Sequence, residues 1–305
     1  MISPLVTIAI PAYKADFLKE AISSALNQSY SKIELVIVDD SSPENIEEII
    51  KVFDDPRIRY YRNEKNIGAK DPSHNWNKCL EYARGDFFAL LCDDDTYEPM
   101  FINEMLKLQH EHPNVNVFRA RAKTINEKGQ TINWYPSAPA FESCLDYMYH
   151  RLSGFRLQTI SEFFYNTKYL KNHGGFFNTP RAWTADALTV FKIAWENGIA
   201  STQKILVNFR GSKKNISSVN SDTLEKRDAL LIFKKEINDL LQQIDDPIQK
   251  KLLENALYYF MYVEFVGLCG RSSLFNILRM LIKGGFPKKW IIFIAVKKIS
   301  SLGNR

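Results

Sequence analysis

Over the first 120 or so residues, short runs of apolar and β-favouring residues alternate with stretches whose apolar positions recur at helical spacing. The runs predict four strands, at Leu5–Ile10, Ile33–Val38, Arg57–Arg62 and Phe87–Leu91. Helical spacing predicts helices over residues 16–27 and 73–84, and Ser42 followed by Pro43 predicts another helix start. Strands that alternate with helices of about 10–15 residues indicate a parallel sheet with right-handed crossovers.

The pattern changes in the second half of the chain. Apolar runs predict strands at Val115–Arg121 and Gln203–Phe209, and residues 185–197 have helical spacing. Beyond residue 222 the chain reads as helix only. The predicted parts are an α/β domain over 1–221, with halves at 1–115 and 116–221, and a helical region over 222–305.

Length and composition limit the class of protein. A chain of 305 residues with 45% hydrophobic side chains can bury a core without disulfides or a structural metal. Its four cysteines form no CxxC pair, which argues against a disulfide scaffold and a zinc finger and fits a reducing compartment. We expect no leader peptide, and no run approaches the roughly 20 apolar residues that a membrane span needs.

The net charge of +5 is unevenly distributed. Residues 271–305 contain eight Lys or Arg and no Asp or Glu, so the rest of the chain is mildly acidic. The stretches 272–283 and 287–299 combine apolar residues with these lysines and arginines. This pattern is typical of helices that lie on an anionic membrane surface, although a helical pair packed on the domain is the alternative. We expect no nucleic-acid partner, because no binding motif accompanies the basic residues.

Acidic residues follow the predicted strands. Asp39-Asp40 and Asp93-Asp94-Asp95 come directly after apolar runs, and Asp186 lies where a loop enters a helix. Ligands of parallel sheets bind beyond the carboxyl ends of the strands, and adjacent carboxylates repel each other unless a cation or donor groups lie between them. The clusters therefore favour a metal–polyphosphate site, with turn and cap chemistry as the alternative for each one. GxGxxG and GxxxxGK[ST] are absent, which argues against a dinucleotide fold and a P-loop.

Several motifs occur together and in a characteristic order: VTIAIPAYKADFLKEAISSALNQSY, IELVIVDDSSPE, RNEKNIG, NWNKCLEYARGDFFALLCDDD and WTADA. Over roughly residues 4–215, this set resembles the family 2 glycosyltransferases. The resemblance implies a GT-A fold, which is a mostly parallel sheet flanked by helices with a Rossmann-like nucleotide-binding half. The all-helical region would be an extension of that fold.

The resemblance also implies a donor site. Pro11, Ala12 and Tyr13 would form the wall of the base pocket, and Asp39 would hydrogen bond to a uracil or thymine edge. Further donor-binding residues implied in this way are Asn66, Lys70, Asp93 and Arg210. Arg210, Lys213 and Lys214 resemble a basic segment that closes over a diphosphate, and a solvated basic loop is equally compatible with them.

Metal and catalytic positions follow from the same resemblance. Asp94 matches the position that usually binds Mn²⁺ or Mg²⁺, and Asp95 is a second candidate ligand. Cys92 stands where an acidic partner is usual; it is either a ligand for a softer metal or a small buried residue. Asp186 matches the catalytic base, and Trp183 either stacks on an acceptor sugar or belongs to the core.

The implied function is an inverting transfer of a sugar from a UDP- or dTDP-sugar to a hydroxyl of a glycan or lipid-linked acceptor. A base removes the proton of that hydroxyl, and a divalent cation stabilises the leaving diphosphate. The implied setting is cell-surface polysaccharide synthesis in the cytoplasm, with a peripheral position on the inner face of the membrane as an alternative. A catalytically silent scaffold is a second hypothesis. A sugar-nucleotide pyrophosphorylase is a third, but it would need a Gly-rich loop after the first strand.

Overall fold

One ten-stranded sheet organises the part of the chain described by the computed structural model, which comprises residues 3–212, 215, 223–269, 278, 281–282, 285–288 and 290–292. Its strands are β1 (Val6–Ala12), β2 (Ile33–Asp39), β3 (Ile58–Arg62), β4 (Phe87–Leu90), β5 (Thr96–Tyr97), β6 (Val117–Ile125), β7 (Thr131–Trp134), β8 (Phe141–Glu142), β9 (Phe163–Asn166) and β10 (Ile199–Arg210). The order across the sheet is β3-β2-β1-β4-β9-β6-β10-β5. The first four of these strands are parallel, as the alternation of strands and helices predicts.

Helices cover both faces of this sheet. They are α1 (Leu18–Leu26), α2 (Ile46–Lys51), α3 (Ser73–Tyr82), α4 (Phe101–Glu111), α5 (Cys144–Leu152), α6 (Thr167–Asn172), α7 (Ala185–Ala194), α8 (Thr223–Leu241) and α9 (Pro247–Cys269). Short 3-10 segments lie at Ile160–Glu162 and Pro180–Ala182. In β2 all seven residues are buried: Val36 and Val38 pack in one apolar cluster, while Leu35 and Ile37 pack in the other. A continuous apolar run is therefore a central strand covered on both faces.

Two local predictions differ from the structure. Ser42 does not cap a helix; α2 begins only at Ile46, after a backbone with φ of 54° at Ser41. The Ser42 hydroxyl instead donates to the carbonyl of Tyr13 and accepts from Glu44 N. In addition, the sequence pattern did not predict β5, β7, β8 or β9, which are only two to four residues long.

The helical region packs on the sheet domain rather than standing apart from it. Helix α8 lies against α9, α7 and the segment Pro180–Ala182, and α9 lies against α5. Phe233 of α8 contacts both Phe191 of α7 and Phe260 of α9. The division into domains at residues 115 and 221 stays a prediction.

Most of the basic segment 271–305, including seven of its eight lysines and arginines, lies outside the described residues. Within the part that is described, Leu281 and Phe286 are buried, and Phe286 and Trp290 pack against Tyr258 of α9. Ile282 and Ile292 are each 63% exposed. Among the helices that can be described, none is both long and apolar enough to cross a membrane.

Candidate active site

A cavity of about 510 Å³ opens beyond the carboxyl ends of β1, β2 and β4. Its wall includes Pro11 near the end of β1 and Tyr13 directly after that strand, Asp40 after β2, and Asp93 and Asp94 after β4. Parallel topology brings these residues together, because all three strands end at the same edge of the sheet. The cavity thus unites most of the motifs that the sequence analysis singled out.

Asp93 is held from the β1 side of the cavity. Its Oδ2 accepts from the backbone amides of Tyr13 (2.9 Å) and Lys14 (2.7 Å). The Lys14 ammonium forms a salt bridge with Asp94 and lies 3.5 Å from Asp93 Oδ1. Burial raises the pKa of Asp93 to about 6, against the lowering effect of Lys14. The end of β1 and the acidic run are therefore physically joined.

Asp95 is the most enclosed of the three acids. It has no exposed surface, and its oxygens accept from Ser161 Oγ (2.6 Å) and from the amide of Arg210 (2.9 Å). Burial, together with the charge of Asp94, raises the pKa of Asp95 to about 8. Such crowding of carboxylates is relieved by a cation in their midst.

The donor set fits a small divalent cation. One ligand atom from each of Cys92, Asp94 and Asp95 lies within 4.8 Å of the others, and this is the one such group among the described residues. Burial and the neighbouring acids raise the pKa of the Cys92 thiol well above its ordinary value. The carboxylate oxygens are therefore the available ligands, and these suit Mg²⁺ or Mn²⁺.

The structure places Asp40, rather than Asp39, on the cavity wall. Asp39 is fully buried: its Oδ1 accepts from Ser42 N (2.8 Å), and its Oδ2 accepts from the Tyr60 hydroxyl (2.9 Å) and also pairs with Arg62. These contacts enclose Asp39 completely. The hydrogen bond to a nucleotide base that we expect of Asp39 stays a prediction.

Asp40 organises the Asn-Ile-Gly turn. Its carboxylate accepts from the amides of Ile67 (2.9 Å) and Gly68 (2.7 Å) and from Asn63 Nδ2 (2.8 Å). A Cβ at position 68 would lie 2.7 Å from Asp40 Oδ2, so the close approach requires glycine. The turn carries Asn66 to the cavity, where its buried Oδ1 has no hydrogen-bond partner among the described residues.

Three other residues that we expect at the donor site lie outside the cavity wall. Ala12 is buried beneath the cavity, and Lys70 is exposed without lining it. Arg210 is buried behind the acidic run, where its Nε donates to the carbonyl of Asp94 (2.9 Å) and its guanidinium lies 4.1 Å from the Phe17 ring centroid. Arg210 therefore supports the acids from behind and is not part of the cavity wall, and its expected contact with a donor stays a prediction. Lys213 and Lys214 lie outside the described residues.

Asp186 lies in the first turn of α7, after a constrained backbone. Arg181, Ala182 and Thr184 all have positive φ, between 49° and 66°, a conformation that costs energy in residues other than glycine. Asp186 Oδ2 accepts from Gln158 Nε2 at 2.9 Å, and burial raises the pKa of Asp186 above its ordinary value. Although Asp186 is not part of the cavity lining, both segments next to it reach the cavity, through Thr159 and Ile160 after Gln158 and through Arg181 before Asp186.

Trp183 is partly buried under the helical region. Its Nε1 donates to Glu264 of α9 (3.2 Å), and the Lys226 ammonium of α8 lies 4.5 Å from the ring centroid. One ring face is therefore covered by a cation. Sequence reasoning did not single out Lys14, Trp76, Gln158 or Ser161. Lys14 and Trp76 lie within quoted motifs, which was a signal for both, whereas Gln158 and Ser161 lie outside them.

Comparison with known proteins decides the family. The sequence profile described as Glycosyl transferase family 2 matches residues 7–179, which is more than half of the chain. The chain belongs to glycosyl transferase family 2. An uncharacterized glycosyltransferase of Rickettsia felis is 30% identical over 233 residues, which are 72% of this chain and 37% of that protein. TuaG of Bacillus subtilis, named for teichuronic acid biosynthesis, is 33% identical over 111 residues, which are 35% of this chain and 43% of TuaG. The chain thus spans less than half the length of these family relatives.

Solved structures confirm the GT-A-like fold. The crystal structure of S. aureus TarS 1-349 in complex with UDP-GlcNAc matches with a TM-score of 0.70 at 17% identity, covering 94% of this chain and 83% of that one. The mannosyltransferase PcManGT from Pyrobaculum calidifontis, in complex with GDP-Man and Mn²⁺, matches with a TM-score of 0.59 at 16% identity, covering 97% and 86%. At these identities the likeness concerns the fold. The predicted mixed α/β sheet with a helical C-terminal region is thereby confirmed.

Proposed function

We propose that this family 2 member is an inverting glycosyltransferase that moves a sugar from a UDP- or dTDP-sugar to a hydroxyl of a glycan or lipid-linked acceptor. The observation that carries the proposal is the cavity in which Tyr13, Asp40, Asp93 and Asp94 meet beyond three parallel strands, with Asp95 buried directly behind them. This arrangement combines an aromatic wall for a base with carboxylates for a metal–diphosphate group. The nucleotide-sugar complexes of the fold's neighbours agree with such a use.

In the proposed donor complex, Pro11 and Tyr13 flank the nucleoside. Asn66 offers its unpartnered Oδ1 to a donor hydroxyl or N–H, since a buried acceptor without a partner is costly when no ligand is bound. Asp40 keeps the turn that carries Asn66 in place. Asp39 stabilises the strand end beside Asp40 through its contacts with Ser42, Tyr60 and Arg62.

Asp94 and Asp95 would hold a divalent cation, Mn²⁺ or Mg²⁺. When bound, such a cation supplies Lewis-acid stabilisation of the leaving diphosphate. Asp93 and Lys14 complete the polar wall. The backbone amides of Tyr13 and Lys14 donate hydrogen bonds to the Asp93 carboxylate and keep it on the nucleoside side of the cavity. Arg210 keeps the backbone of the acidic run in position from behind.

Asp186 would act as the base that removes the proton of the acceptor hydroxyl. Its raised pKa brings it closer to neutral pH, where a carboxylate is a more effective base. A single base without a second nucleophilic carboxylate suits direct displacement with inversion. We place the acceptor between Asp186 and the cavity segment Thr159–Ile160, near the edge of Trp183.

The biological setting that we propose is cell-surface polysaccharide synthesis on the cytoplasmic side of the membrane. The likeness to TuaG supports it. The basic residues of 271–305 would attract an anionic membrane surface, while Phe286 and Trp290, in the middle of that segment, pack against Tyr258 of α9.

Calorimetric titration with UDP, dTDP and GDP, each with and without Mn²⁺, tests the proposal. We expect UDP or dTDP to bind more tightly when Mn²⁺ is present, and binding should be followed by assays of UDP release from a panel of UDP-sugars. A folded sample that binds none of the three nucleotides would contradict the donor site and favour a catalytically silent scaffold.

A further inference from the structure

Asp186 is connected to the protein interior by two consecutive hydrogen bonds. Gln158 Nε2 donates to Asp186 Oδ2 at 2.9 Å, and the Tyr147 hydroxyl donates to Gln158 Oε1 at 2.9 Å. Tyr147 lies on α5 and has no exposed surface, with its ring 5.8 Å from the buried Arg119 guanidinium. Neither Gln158 nor Tyr147 belongs to the motifs from which the function was inferred.

The direction of these bonds is set by chemistry. A neutral tyrosine hydroxyl donates one hydrogen, and a carboxylate only accepts. If the Gln158 amide were rotated by half a turn, its carbonyl oxygen would face the carboxylate of Asp186 and repel it. The carboxylate of Asp186 therefore selects the rotation in which the amide donates to it, and the Tyr147 hydroxyl, by donating to Oε1, stabilises the same rotation. Oδ2 of Asp186 accepts this bond, and the backbone amides of Asp186 and Ala187 also donate to the carboxylate.

We propose that Gln158, oriented by Tyr147, is the positioning residue of the base: it fixes the rotation of the Asp186 carboxylate and stabilises its ionised form. This inference rests on the proposed role of Asp186. It adds a residue whose segment also lines the donor cavity, since Thr159 and Ile160 directly follow Gln158. The donor wall and the support of the base are thus one continuous piece of chain.

The surroundings make this bond important for the charge of Asp186. The titratable groups that interact with it are Tyr147 and Arg151 on α5, Glu162 in the 3-10 segment, Tyr165 on β9 and Glu264 on α9. Two of these are acids, and burial also disfavours the carboxylate. Arg151 and the Gln158 bond work in the opposite direction and lower the pKa of Asp186. Loss of the Gln158 donor should therefore raise that pKa.

The first test measures the pKa of Asp186 directly, by ¹³C NMR titration of aspartate-labelled protein, with the Asp186 signal identified by its absence in Asp186→Asn. We expect a higher pKa in Gln158→Leu and, by a smaller amount, in Tyr147→Phe, which keeps the ring and loses the hydroxyl. Gln203→Leu, an exposed glutamine on β10, and Tyr149→Phe, a more exposed tyrosine on α5, are the matched controls. Equal pKa values in all folded variants would overturn the proposal.

The second test uses turnover, measured as UDP release from the UDP-sugar that the wild type accepts. Gln158→Leu should lower kcat roughly tenfold or more, as expected for a lost hydrogen bond to a charged group, while UDP affinity stays within about twofold. In a plot of kcat against pH, the decline on the acidic side should move to higher pH in Gln158→Leu. If Gln158→Leu does not fold, Tyr147→Phe alone decides. Full turnover in Asp186→Asn would refute the role of Asp186 as the base. If Asp186→Asn is inactive but Gln158→Leu turns over as fast as the wild type, only the positioning role is refuted.

Discussion

The ammonium group of Lys14 forms a salt bridge with the carboxylate of Asp94, at the place where the ends of β1 and β4 meet. The same ammonium lies 3.5 Å from Asp93 Oδ1, and the lysine side chain is 27% exposed toward the cavity. Burial lowers the pKa of Lys14, but the negative charge of the two acids outweighs it, so the pKa is raised and the lysine stays charged. The protein thus contains its own cation beside the acids that we assign to a metal, and a bound metal must share Asp94 with it.

We therefore expect Lys14→Met to bind Mn²⁺ more tightly than the wild type when no nucleotide is present, because Asp93 and Asp94 lose their counter-ion. Free Mn²⁺ measured by electron paramagnetic resonance would show this as a several-fold lower Kd. UDP affinity in the presence of Mn²⁺ should fall, since one positive charge near the diphosphate is lost. Lys19→Met, an exposed lysine of α1, is the control. Unchanged Mn²⁺ binding in Lys14→Met would show that the lysine does not compete.

Asp186→Asn should reduce turnover by about a hundredfold or more, since general-base catalysis contributes roughly 10²–10⁴-fold. UDP binding should persist, because Asp186 is not part of the cavity lining. UDP release and calorimetric UDP binding, measured on the same sample, separate these effects. Asp245→Asn, an exposed aspartate between α8 and α9, should match the wild type in both.

Gly68→Ala should weaken UDP binding. The added methyl group would lie 2.7 Å from Asp40 Oδ2, so either the carboxylate or the turn must move, and Asn66 moves with the turn. Gly267→Ala in α9 is the control, because nothing lies within 4 Å of its added Cβ. Equal UDP affinity in both variants, measured by calorimetry, would contradict the role of the turn in the donor site.

Stability without metal should fall as the pH rises from about 4 toward 8. Burial raises the pKa of Asp95 to about 8 and that of Asp93 to about 6, so in this range the folded state binds more protons than the unfolded state. Added Mn²⁺ should restore the lost stability mainly at the alkaline end, where the acids are ionised. Tm measured across this pH range in wild type and Asp95→Asn tests this, since the variant should show a flatter profile. A wild-type Tm that does not decline with pH would contradict it.

The parallel part of the fold follows from local patterns. A run such as Ile33–Val38 is apolar at every position except Glu34, which suits a strand that is covered on both faces, and helical spacing between such runs implies crossovers. Because these rules also bring the carboxyl ends of the strands together, the meeting of Tyr13 with Asp93 was predictable. The four short strands were not, since two to four residues carry too little periodicity to be recognised.

Residue types and order along the chain therefore determined the fold class, the family and the approximate place of the site. Tertiary structure decided which member of each motif faces the cavity. Asp39 and Asp40 are adjacent in sequence, yet Asp39 is enclosed by Ser42, Tyr60 and Arg62, while Asp40 turns toward Gly68. The contacts of Lys14 with Asp94 and of Gln158 with Asp186 likewise join residues 80 and 28 positions apart. Such choices depend on packing between distant segments, and no local pattern encodes them.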